Sequence, residues 1–129
     1  MIEIPVSWGE LVDKITILEI KSERIADEGK LVNINKELGL LKARLGDLAS
    51  RPELLSLTDA LRVVNSDLWQ IEDDIRDCEH AGDFGPRFIE LARSVYIRND
   101  KRAEIKREIN AALGSALVEE KSYRDYKVK

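Results

Sequence analysis

Apolar residues recur along the first third of the chain at helical spacing. Leu11, Ile15, Leu18 and Ile25 mark one stripe, widened by Val12, Ile17 and Ile20. Taken with a period of 3.6, they predict a first helix over residues 8–28. The run "ITILEI" alternates like a strand, but "PVSWGE" before it supplies a capping box. Ser7 can accept from the backbone N–H of Glu10 while the Glu10 side chain reaches back, which stabilises by about 1 kcal/mol at the serine. Gly29 offers a left-handed stop. The preceding "IEIPV" is strand-like, and Pro5 restricts it to an edge or an extended arm over residues 1–7.

From Leu31 the pattern tightens. Leu31, Ile34, Leu38, Leu41, Leu45 and Leu48 alternate steps of three and four, a coiled-coil-like heptad seam that predicts a second helix over 31–50. Leu54, Leu57, Leu61, Val64, Leu68, Ile71, Ile75 and Cys78 repeat the seam in a third helix over 52–81, opened by Pro52 close to Ser50. Gly82, Gly85 and Pro86 break it, and a fourth helix over 86–113 stops at Gly114. A tail over 115–129 follows.

This pattern predicts an all-α fold, 1–129 as a single helical domain. Its form is an antiparallel four-helix bundle of two helical hairpins, with a short extended arm and tail. The second hairpin is longer by roughly 12 Å at 1.5 Å per residue. Part of the third helix's seam should therefore stay uncovered in a monomer, and apolar overhang of this kind is usually buried by a second copy. The expected assembly is a homodimer.

Composition agrees with helix: 36% of residues are charged, 5% aromatic, with 7 Gly and 3 Pro in 129. A lone cysteine excludes an intrachain disulfide, and the N-terminus lacks the basic start and apolar run of a signal peptide, so a cytoplasmic protein is expected. No run approaches a membrane span. The net charge of −4 hides an asymmetry, with ten Lys/Arg against eighteen Asp/Glu in residues 1–85 and eleven against seven in 86–129. The acids interspersed in the basic part weaken the field a phosphate backbone needs, which argues against nucleic acid.

The stripe of the fourth helix is broken. Val95, Ile105 and Ile109 mark a face on which Arg98, Asn99 and Arg102 also fall. If the third and fourth helices fold about a loop at Asp83 and Phe84, Arg98 lies level with Trp69 and Gln70. Arg102 lies level with Asn65 and Ser66. Asn65, Trp69 and Glu72 share an edge of the third helix, and Tyr96 and Asn99 an edge of the fourth.

Buried guanidinium groups need partners. The arginines can reach solvent from the stripe's edge, pair with Glu72, Glu19 or Glu23 to fix register, or grip a carboxylate or phosphate. The remaining reading is a face misassigned by the periodicity. A ligand pocket would be built from Asn65, Trp69, Glu72, Tyr96, Arg98, Asn99 and Arg102.

The phrases "IPVSWGELVDKITILEIKSERI", "NSDLWQIEDDIRDCE", "FIELARSVYIRNDKRAEIKREIN" and "GSALVEEKSY" together resemble an uncharacterised family of small bacterial all-helical proteins, a domain of unknown function. The resemblance spans nearly the whole chain and carries no catalytic residue over. It implies a bacterial, standalone helical protein.

Catalytic motifs are sparse. Lys14 and Lys21 with Arg98 and Arg102 imitate the cationic sites of bundle enzymes by analogy only. The acids of "EDDIRDCE" spread round their helix instead of gathering as an Mg²⁺ site, and Cys78 and His80 cannot share a helical face. No metal or cofactor is called for, since there is no Gly-rich phosphate loop and no Ser-His-Asp set. The sequence thus points to a self-associating helical binding or interaction module. The alternative is a small-anion-binding protein or bundle enzyme with a polar pocket between the third and fourth helices.

Overall fold

A computed structural model describes residues 1–127. The chain forms four α-helices in order, α1 (Trp8–Arg24), α2 (Glu28–Leu45), α3 (Pro52–Ala81) and α4 (Pro86–Leu113), and a 3-10 helix over Gly46–Ser50 joins α2 to α3. No strand forms among the described residues. The strand-like arm is irregular instead, with Ile2 and Ile4 exposed. Of the expected tail, residues 128 and 129 lie outside the described residues.

Ser7 caps α1 by accepting from the backbone N–H of Glu10 at 3.1 Å. The reciprocal half of the capping box is not made, because the Glu10 carboxylate is taken by Lys106 at 2.7 Å. The helix ends at Arg24, four residues before the expected boundary at 28. Gly29 is not its stop. Asp27 accepts from the backbone N–H of Lys30 at 2.9 Å, so a new helix starts at Glu28 and places Gly29 in its first turn. α2 ends before the expected position 50 because Gly46, at φ +56°, turns the chain into the 3-10 segment.

Two hairpins result, α1 with α2 and α3 with α4, and they pack as a helical bundle. α1 is the shared element, lying against α2, α3 and α4, while the backbone of α2 approaches neither α3 nor α4 within 8 Å. Bonds from Gly9 to Asn110 and from Asp13 to Arg102 set α1 antiparallel to α4. The core gathers Val12, Ile15 and Leu18 of α1, Ile34 and Leu38 of α2, Leu54, Leu61 and Val64 of α3, and Ile105 and Ile109 of α4. Fully buried chains such as Leu54, Leu61 and Ile109 each stabilise by about 1.5–3 kcal/mol.

The core stops short of the α3–α4 loop. Leu54, Leu61 and Val64 are buried, but Leu68, Ile71 and Ile75 on the same seam are only partly covered. α1 ends beside Trp69, where the Arg24 guanidinium lies 6.0 Å from the ring centroid. From Glu72 to Ala81 the hairpin projects past α1 by about 15 Å. No helix among the described residues is long and apolar enough to cross a membrane.

Candidate functional site

The N-terminus of α1 meets the C-terminal half of α4 in close backbone contact. Gly9 permits this, since a Cβ there would sit 2.5 Å from the Lys106 carbonyl oxygen. The approach lets Asn110 Oδ1 accept from the Gly9 N–H at 2.7 Å, and Ser115 Oγ accept from Trp8 at 3.4 Å. With Ser7 serving Glu10 and Leu11, the first N–H groups of α1 are all occupied from within the protein.

One turn further along, Asp13 is fully buried, and its carboxylate is the centre of a polar layer. Its Oδ1 accepts from Arg102 Nε and from Asn65 Nδ2, both at 2.9 Å. Its Oδ2 accepts from Arg102 Nη2 and lies 3.9 Å from Lys106 Nζ. Asn65 Nδ2 also donates to Thr16 Oγ1 at 2.9 Å, and that hydroxyl donates to the Asp13 carbonyl at 2.8 Å. Lys106, itself buried, donates to Glu10 at 2.7 Å and to Glu119 of the tail at 3.0 Å. Thus α1, α3, α4 and the tail are tied through one chain of charged hydrogen bonds.

Ion pairing favours the charged forms of Arg102, Lys106 and Glu119. Hydrogen bonding to Asp13 raises the Arg102 pKa above its ordinary value. Burial pulls the Lys106 ammonium down, but its bonds to Glu10 and Glu119 outweigh that and leave its pKa raised. The Lys121 and Lys106 ammonium groups hold Glu119 at about 2. Three hydrogen bonds hold the Asp13 carboxylate, two from Arg102 and one from Asn65, and they tie α1 to α3 and α4.

The seven residues expected to form a pocket divide. Asn65, Trp69, Glu72, Asn99 and Arg102 line one open groove of about 560 Å³ between α1, α3 and α4, floored by Ile17, Ile20 and Leu68. Tyr96 and Arg98 do not line it. Arg98 is not in a polar layer at all, for it is exposed and pairs at the surface with Asp67 at 3.6 Å. Tyr96 stacks on Tyr126 of the tail with ring centroids 4.8 Å apart. Nor do the anticipated acids serve Arg102, since Glu72 takes Arg76 and Glu19 takes Arg62 and Lys42.

Asp13, Lys106, Asn110 and Glu119 escaped the sequence reading. A signal was present, because Gly9, Asp13 and Thr16 step by four and three beside the apolar stripe, and Arg102, Lys106 and Asn110 step by four on α4.

Fold and layer together define a small helical-bundle protein whose core is pinned by a buried aspartate and two cations. The chain belongs to DUF6165, a family of unknown function whose model matches residues 2–127. No curated protein and no solved structure matches it.

Proposed function

We propose that the protein is a self-associating helical interaction module whose contact surface is the projecting end of the α3–α4 hairpin, and that its partner there is a second copy. The observation that carries this reading is the change along one seam. Leu54, Leu61 and Val64 are sealed and Leu57 is half-buried, whereas Leu68, Ile71 and Ile75 form a partly open run that ends at the buried Cys78. On α4, Ile89 and Ile97 are 55% and 43% exposed, and Phe84 at the tip is 54% exposed. Ile89, Arg93 and Ile97 follow one another at four-residue steps along one face.

Charge favours a second copy as the occupant. Between Glu72 and Asp83 six acids accompany one arginine, and between Arg87 and Arg102 five bases accompany two acids. Packing α3 of one hairpin against α4 of another brings these opposite signs together. Intrachain pairs take only part of the charge, as in Asp74 with Arg87 and Asp67 with Arg98. A heptad seam continuing through the hairpin suits helix-on-helix packing between copies. The setting we propose is the bacterial cytoplasm, consistent with a free, buried Cys78.

The test is Ile89→Glu. This position is exposed in the protomer, so the variant should fold and melt as the wild type does when both are dilute. Its carboxylate would face the partner's acidic α3, and elution at the monomer size is expected. Co-elution with the wild type at the dimer size would contradict the assignment of this surface.

A further inference from the structure

The groove at the base of the hairpin shares Leu68, Glu72, Asp73 and Arg102 with the proposed contact surface, and it has features that self-association does not explain. Its volume of about 560 Å³ lies within the range of roughly 300–1,000 Å³ typical of small-molecule sites. Its floor is apolar, and Trp69, with the Arg24 guanidinium 6.0 Å from its ring centroid, is part of its wall. Above that floor stand polar groups with unspent capacity. Arg102 is locked by Asp13 through Nε and Nη2, which leaves Nη1 without a partner among the described residues. Lys21 and Asn99 also lack side-chain partners among the described residues, and both line the groove.

Asn65 is the most telling. It is 6% exposed, and its Nδ2 is spent on Asp13 and Thr16, while its Oδ1 accepts from no group among the described residues. No fully enclosed side-chain N or O among the described residues lacks a partner, so this oxygen keeps some exposure, and Asn65 is a residue of the groove wall. A nearly buried acceptor beside one donor fixed by Asp13 and two left free among the described residues suits a binding site.

We infer that this groove binds a small polyhydroxylated compound bearing one anionic group, such as a sugar phosphate or a sugar acid. Arg102 and Lys21 meet the anionic group, the former presenting a guanidinium edge whose orientation is set by Asp13. Asn65 Oδ1 accepts from a hydroxyl, and Asn99 bonds a second. The apolar face of the ring lies against Trp69. Glu72 and Asp73 at the rim supply further hydroxyl acceptors and disfavour polyanions such as nucleic acid.

The experiment follows Trp69 fluorescence in a Trp8→Phe background, where it is the sole tryptophan. Glucose 6-phosphate, glucuronate, glucose and inorganic phosphate are titrated separately. Saturable quenching or enhancement is expected with at least one of the two anionic sugars, with glucose and inorganic phosphate weaker by about tenfold or more. Which anionic sugar binds tells phosphate from carboxylate recognition. Lys21→Ala and Asn99→Ala should each weaken binding by about tenfold without altering the melting temperature. The inference is overturned if neither anionic sugar binds, if inorganic phosphate binds as tightly as glucose 6-phosphate, or if both variants bind as the parent does. Because the groove shares Leu68 and Glu72 with the hairpin surface, the titrations are repeated in Ile89→Glu, so that a site covered by a second copy is told from a site that does not bind.

Discussion

The Asp13 carboxylate receives Asn65, two nitrogens of Arg102 and, more distantly, Lys106, in a site from which water is excluded. An ion pair in such a place can add little net stability over an apolar core, yet removing one partner leaves a charge that cannot be hydrated. Arg102→Met should therefore destabilise by roughly 3–5 kcal/mol, read from the urea midpoint, by orphaning Asp13. Replacing both, Asp13→Leu with Arg102→Met, should recover much of that loss. Equal destabilisation by the double variant would contradict a charge-orphaning mechanism. Glu119 gives a pH signature. Its pKa falls from 4.5 to about 2 on folding, so its contribution is present above 4.5 and lost as pH falls toward 2. Lys106 has the opposite sign, since its raised pKa gives stability that is present below 10.5 and lost as pH rises through the folded value. Glu119→Gln should flatten the acid limb of a stability profile and weaken the alkaline limb only in part, since Glu10 still holds Lys106.

At the scale of elements, the decisive contact is α1 against α4. Gly9→Ala would press a methyl carbon into the Lys106 carbonyl and push the helices apart, at a cost of about 1–3 kcal/mol by thermal unfolding. A melting temperature unchanged from wild type would show that the helices separate freely there. The ends of α3 and α4 were legible because Pro52, Gly82, Pro86 and Gly114 are residues whose chemistry stops or starts a helix, and Gly82 and Gly114 adopt φ of +65° and +62°. The α1–α2 junction was not, because Gly29 suggested a stop while Asp27, two residues earlier, captured the Lys30 N–H. Arg102 stood out as a polar break, but its partner did not. Counting residues about a hairpin loop fixes α3 against α4 and says nothing of α1, which crosses both and brings Asp13. The same count placed Arg98 level with Trp69 correctly in height and wrongly in direction, since four residues on a helix turn a side chain by about 40° beyond a full turn.

Over the whole molecule, the acidic front and basic rear of the sequence fold into one hairpin with an acidic helix beside a basic one, free of α1 and α2 along its outer part. On the proposed reading, the partly open run Leu68, Ile71 and Ile75, between buried Val64 and buried Cys78, is the part of the seam left for a second copy. Electrostatic complementarity predicts that association slows as salt rises, because screening at 1 M shortens the Debye length to about 3 Å. The apolar seam predicts that the complex, once formed, persists. Sedimentation equilibrium of the unmodified chain at micromolar concentration tests the central claim most directly. Two hairpins packed together give about twice 14.7 kDa, and a mass of 14.7 kDa holding at every concentration would contradict the account.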